Sequence, residues 1–355
     1  MSRGMRLTRN GSVRHPMGMR GLRLSVLDLV GMRPGGGVAD AVARSVETAQ
    51  HVERLGYHRF WLAEHHSISG LACSATAVLI GHVADRTSRI RVGSGGIMLP
   101  NHAPLVVAEQ FGTLESLYPG RIDLGLGRAP GSDQPTMRAL RRTSTGDDFP
   151  ELVAELQQYL GGPRPGQVVH AVPGEGTHVP ITLLGSSGFS AQLAAKLGLP
   201  FAFAAHFAPQ YVEPAMELYR RQFVPSEVLD RPYAMVGLPV IAADTEAEAT
   251  RLFTTPQQRF LSLVRNQPVE LKPPVDSMQG LWNAAEADAV AARLGLAVVG
   301  DRAGVQARLQ RIVDWLGVEE VFAVTDTYEL SDRLRSYEIL ADVAKEITLR
   351  QTAVA

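Results

Sequence analysis

The chain has 355 residues, 45% apolar and 20% charged, with a formal net charge of -1. This is enough apolar material for a large core, and the lack of a basic excess argues against nucleic acid as the main partner. A single cysteine, Cys73, excludes an internal disulfide or a multi-cysteine metal site and suits a reducing cytoplasm; no apolar run reaches the ~20 residues of a membrane helix.

Residues 1–21 carry several arginines but no apolar stretch of the signal-peptide kind, and read as a disordered extension or tag. The fold is expected to occupy residues 22–355 as one domain. A first strand at 22–29 is followed by Gly/Pro punctuation and a helix over 38–55. The apolar positions of that helix, Val42, Val46, Ala49 and Val52, share one face, and Gly56 closes it. Strands at 59–63, 90–98 and 122–127 then alternate with helices at 72–87 and 104–118. The connection at 128–178 is too long for one turn and holds a helix near 150–160. Strands at 180–184, 200–204 and 233–242 each precede a helix: one through 197, one over 209–223 and one from 245. After a second irregular stretch, 258–296, come a helix at 305–316, an eighth strand at 321–325 and a final helix at 330–349.

Eight β-α repeats with continuously apolar strands favour an α/β fold of the (β/α)8 TIM barrel type, with insertions after strands 4 and 7, over an open sheet. No G-x-G-x-x-G follows the first strand, and Gly125, Gly127 and Gly131 miss that spacing by one residue, so a Rossmann-type dinucleotide site is not expected. In a barrel, chemistry gathers at the C-terminal ends of the strands. Strand 2 ends in Glu64, His65 and His66. Neighbouring strand residues face opposite ways, so one imidazole can reach the mouth for acid–base work near neutral pH, with the Glu64 carboxylate beside the pair to orient it, or simply hold a loop. A metal on His65, His66 and His102 is disfavoured, because adjacent histidines diverge while zinc needs converging ligands.

Gly93, Gly95 and Gly96 are unusual inside a strand and mark either a bulge against a ligand or tight packing. Arg128 follows strand 4 beside glycines. A guanidinium at a helix start has no dipole reason to be there, so it suits either a bound anion or a surface ion pair. Ser186, Ser187 and Ser190 open the helix after strand 5, where they either cap it or add donors to an anion site. Asn101 and His102 are expected to cap the next helix or touch a ligand. Cys73 and Trp61 read as packing residues.

WLAEHHS at 61–67, the stretch IRVGSGGIMLPNHAPLVVAEQFGTLESLYPGRIDLGLGRAPGSD at 90–133, LLGSSGFSAQLAAKLGLPFAFAAHF at 183–207 and RLRSYEILA at 333–341 together resemble the bacterial luciferase-like flavin monooxygenases. The likeness is greatest to the FMN-using branch that includes polyketide-tailoring oxygenases. It implies a monooxygenase that uses reduced FMN and O2, through a flavin C4a-hydroperoxide, to oxygenate a small organic substrate. It places His65 by the flavin ring, a non-proline cis peptide at Gly95–Gly96 against that ring, and Arg128 on the phosphate; Ser187 and Ser190, with Ser186 near, are expected to complete a phosphate clamp with Arg128 from the neighbouring strand. It also implies a separate flavin reductase as supplier and a homodimer built on helices 2 and 3; Leu105, Val106, Ala108, Phe111 and Leu114 make helix 3 apolar enough for this, or serve barrel packing alone. The alternatives are a relative using the deazaflavin F420 for hydride transfer and a flavin-binding protein without catalysis.

Overall fold

The computed structural model describes residues 21–129, 134–141 and 146–349, so the expected extension lies almost wholly outside the described residues. The first half alternates as expected: β1 (Arg23–Asp28), α1 (Val38–Arg54), β2 (Arg59–Leu62), α2 (Thr76–Asp85), β3 (Arg91–Met98), α3 (Pro104–Leu117) and β4 (Ile122–Gly127). The first insertion contains α4 (Gln134–Ala139) and α5 (Phe149–Leu160). Then come β5 (Ile181–Gly185), α6 (Gly188–Leu197), β6 (Phe201–Phe203), α7 (Val212–Arg221), β7 (Ala234–Ala242), α8 (Glu246–Val264), α9 (Ala284–Arg293), β8 (Val298–Gly300), α10 (Arg302–Leu316), β9 (Glu320–Val324) and α11 (Leu330–Ala344).

β1 to β7 pair in sequence, β7 pairs with β9, and β9 returns to β1, all in parallel. This closes a TIM barrel from the eight strands the sequence indicates. Parallel strands covered by helices are buried on both faces, which is why β7 reads as an unbroken apolar run and is buried along its whole length.

The sequence reading errs in the second insertion. α8 does not give way at residue 258 but runs through Pro256 to Val264. A helix interior tolerates proline only by giving up a backbone hydrogen bond, and the polar, proline-containing composition from residue 258 onward reads as irregular where the helix in fact continues. α9 starts on a capping box, with Asn283 accepting from the Glu286 N–H and Glu286 reaching back to the cap. β8 is an extra strand outside the ring, paired with Val240–Ala242 at the far end of β7. Three residues give too short a pattern to read.

The N-terminal end of the barrel is closed by buried ion pairs. Asp123 accepts from Arg59 at 2.8 Å, from Arg91 at 2.7 Å and from the Trp61 indole at 3.1 Å. Glu320 accepts from Arg59 at 3.0 Å and from the Tyr233 hydroxyl at 2.6 Å. Above this floor Trp61 packs on Phe322 with ring centroids 4.3 Å apart. The floor is sealed, and the open end is the one where the βα loops lie.

Candidate active site

The end of β2 is organised by a residue that the sequence offered only as an orienting carboxylate. Glu64 is buried. Its Oε1 accepts from His66 Nε2 and from His102 Nε2, each at 2.7 Å, and its Oε2 accepts from the Met98 N–H at 3.2 Å. Burial alone would raise this carboxyl, yet the imidazoles of His102 and His66 hold it below the usual carboxylate range. One side chain thus joins the β2 loop to the segment after β3. His102 is not a helix cap: the cap position of α3 is Ala103, with Pro104 as the first helical residue. The ligand atoms of Glu64, His66 and His102 lie within 4.8 Å of one another, while His65 stands apart from this cluster, as opposite-facing neighbours should.

His65 is half-buried and its Nδ1 is enclosed with no hydrogen-bond partner. Burial, then the charges of Arg259 and His206, push its pKa down to about 4. The imidazole is therefore neutral near pH 7, a proton acceptor rather than the half-protonated group that an unperturbed value would give. Cys73 lies in the loop before α2, not at its start. It is fully buried, and burial pushes its thiol up to about 12, which fits packing rather than nucleophilic chemistry.

The β3–β4 register shifts between Ser94 and Ile97, and the Gly95–Gly96 peptide is cis. Both glycines are part-exposed, but the directions their side chains would take are filled. A Cβ on Gly95 would lie 2.6 Å from Leu27 Cδ1, and one on Gly96 would lie 2.1 Å from Leu184 Cδ1 and 2.7 Å from the Gly125 carbonyl oxygen. Tight packing and an accessible backbone surface are thus both present, on opposite sides of the same segment.

The β4–β5 register sets Gly127 beside Leu184, so Arg128 emerges next to the turn that opens α6. Its guanidinium carbon lies 4.2 Å from the centroid of the Phe189 ring. No carboxylate pairs with it among the described residues. Ser187 occupies the cap position of α6, yet its side chain makes no capping bond, leaving the first N–H groups of the helix without their usual acceptor. Ser186 and Ser187 are half-buried at the rim. Ser190 differs: it is buried behind the turn, its Oγ 2.6 Å from where a Gly185 Cβ would be.

The second insertion covers the side of the mouth next to β1 and β2. The Met32 N–H donates to Gly70 O at 2.9 Å and the Ala72 N–H to Val30 O at 3.0 Å, joining the first two rim loops. The Val269 N–H donates to Ser69 O at 2.9 Å and the Leu271 N–H to Met32 O at 2.8 Å. Gly70 sits at φ +103°, with no room for a Cβ against the Glu270 amide nitrogen. The insertion is therefore an added strand-like segment sewn to the loops that carry His65.

A barrel with a glycine bulge and an arginine beside an uncapped helix has known counterparts. The family model described as luciferase-like monooxygenase matches residues 22–320. The chain belongs to the luciferase-like monooxygenase family. As a family member it is an oxidoreductase. A luciferase-like monooxygenase of Escherichia coli (strain K12) is 49% identical over 328 residues, 92% of this chain and 98% of that protein. The N-acetyl-S-alkylcysteine monooxygenase of Bacillus subtilis (strain 168) is 32% identical over 336 residues, 90% of this chain and 98% of that protein. The solved structure of apo-MsnO8 superposes with a TM-score of 0.81 at 36% identity, covering 93% of this chain and all of that one.

Two residues of the luciferase-like mouth were given no role from the sequence. His206, at the end of β6, donates its backbone N–H to Gly237 O at 2.9 Å, and burial pushes its imidazole down to about 4. Arg259, on α8, pairs with Asp326 beyond β9 at 2.5 Å. His206 was visible as a strand-end residue. Arg259 was not, since it lay in the stretch taken as irregular. No described helix is long and apolar enough to cross a membrane.

Proposed function

We propose that this protein is an FMN-dependent monooxygenase that oxygenates a small organic substrate with reduced flavin and O2. The observation that carries the reading is Arg128. A half-buried guanidinium with no carboxylate partner among the described residues, over Phe189 beside the uncapped start of α6, is suited to a phosphate. Ser186 and Ser187 add donors at the rim, and Ser190 supports the turn from behind. The accessible backbone at Gly95–Gly96 offers a flat surface on which a ring can rest.

Reduced FMN, when bound, supplies the electrons and the site of O2 activation. The protein holds its phosphate, seats its ring and excludes water. His65, neutral and lacking a partner at Nδ1, takes up or returns a proton at that atom. Apolar surroundings such as Leu27, Leu184 and Trp61 limit solvent access. The reading includes a separate reductase that supplies the flavin and a homodimer. Val78 on α2 and Val106 and Leu117 on α3 are the exposed apolar residues available to such a contact, whereas Ala108, Phe111 and Leu114 are buried within the subunit. The substrate extends to a polyketide-type molecule by resemblance and to an N-acetyl-S-alkylcysteine by the name of a relative; both are small organic compounds.

The test is anaerobic titration with reduced FMN and with reduced F420, followed by admission of O2 in the presence of candidate substrates. Tight binding of reduced FMN and an oxygenated product support the reading. Preference for F420 with hydride transfer and no oxygen incorporation overturns it.

A further inference from the structure

Strand order divides the rim into two arcs. The arc from β3 to β5 carries Gly95, Gly96, Arg128 and the start of α6, all used by the flavin reading. The arc from β6 through β7 and β9 to β1 carries His206, Asp326 and Asp28, and α8 adds Arg259 to it. His65, after β2, stands where the arcs meet.

The second arc has the character of a binding site. The Arg259 side chain is 7% exposed, and its Nη1 donates to Asp326 Oδ2 at 2.5 Å. Its Nε and Nη2 have no acceptor among the described residues. The Nδ1 atoms of His206 and His65 are also enclosed without partners. The His206 ring lies over Gly237 on β7, where a Cβ would come within 2.8 Å of Nδ1, so that nitrogen is held above the barrel. β6, β7 and β9 are consecutive in the ring, so His206 after β6, Gly237 on β7 and Asp326 after β9 lie on neighbouring staves, and Arg259 joins them through Asp326.

We propose that this arc is an anion pocket in which Arg259 binds a carboxylate of the organic substrate, with His206 and His65 forming its hydrogen-bonding walls. The proposal rests on the oxygenase reading only in calling the ligand a substrate. A wholly apolar ligand seated here would strip water from the unpaired guanidinium donors and leave the enclosed imidazole nitrogens unpaired, which is costly for buried polar groups. A carboxylate accepts from the open edge of the planar guanidinium and from imidazole N–H groups. Asp326 keeps Arg259 in place and limits its affinity, since it competes for the same cation. Orienting the substrate through one charged end leaves its other end free to face the first arc.

Acetate is the probe, being small enough to enter any cavity that admits a substrate, and acetamide is its neutral counterpart. The readout is the imidazole NMR signals of His65 and His206, assigned with His65→Gln and His206→Gln. Acetate is expected to shift both signals with one dissociation constant, and acetamide to leave them in place. Arg259→Gln should weaken acetate by at least about tenfold, the scale of one charge-assisted hydrogen bond, and Asp326→Asn should tighten it. Equal response to acetate and acetamide, or no loss in Arg259→Gln, overturns the proposal. If Arg259→Gln does not fold, Asp326→Asn decides: tighter binding supports the pocket, unchanged or weaker binding refutes it. Reduced FMN is titrated into the same samples. Acetate binding without flavin binding would remove the oxygenase reading and leave the pocket, and the reverse would do the opposite.

Discussion

The guanidinium carbon of Arg128 lies 4.2 Å from the Phe189 ring centroid, within reach of a cation–π contact, and the group takes no carboxylate among the described residues. An aromatic partner orients the cation without neutralising it. Arg128→Ala is therefore expected to weaken FMN binding by about 10–100-fold, the scale of charge-assisted bonds to a phosphate. Riboflavin, which has no phosphate, should bind wild type and variant alike. Flavin fluorescence titration with both ligands checks this; an equal loss for riboflavin would place Arg128 elsewhere.

Gly96→Ala should destabilise the barrel by about 1–3 kcal/mol, as overpacking does. The added methyl would meet Leu184 and the fixed carbonyl of Gly125, and only the former can turn away. Urea unfolding measures the effect, and an unchanged midpoint would show that β4 and β5 yield more readily than their pairing suggests.

Acid should weaken the fold between about pH 6.5 and 4. His58, His65 and His206 each sit at about 4, below the unfolded imidazole value, with burial the first cause in every case. A depressed value means that the unfolded chain binds the extra proton. The stability is thus complete above the unfolded pKa and is lost as pH falls toward the folded one. The loss from pH 7 to pH 5 should be on the order of 1–2 kcal/mol per imidazole. Comparing urea unfolding of the wild type and His206→Gln at the two pH values isolates one contribution, and parallel profiles would contradict the assignment.

Glu64→Gln should cost about 3 kcal/mol, the scale of breaking a buried charged cluster. An amide can still accept at one atom, but it presents donors to imidazoles that are themselves donating to Glu64. Thermal unfolding checks the loss. Retained stability would mean that His66 and His102 find other partners.

The barrel itself was legible because each strand is a short apolar run bounded by turn residues, a pattern that survives without neighbours. Arg128 and Ser187 were legible as a pair because consecutive barrel strands bring the ends of β4 and β5 together. Glu64 was seen as an orienter, but not as the acceptor for both His66 and His102, since the contact with His102 joins two loops and leaves no periodic trace. Arg259 was hidden because α8 runs on into the stretch that reads as irregular from residue 258. The depressed value at His65 could not be read either, because burial and the charge of Arg259 are properties of the assembled mouth.

The main-chain bonds from Val269 to Ser69 and from Leu271 to Met32 give the late insertion a further significance. They tie three stretches of chain, far apart in sequence, into one piece of scaffold. A graft of residues 265–283 from another family member would have to respect the first two rim loops or be rejected by them. The course of the backbone around His65 is thereby held from outside its own loop, and a substitution that keeps these bonds alters side chains alone.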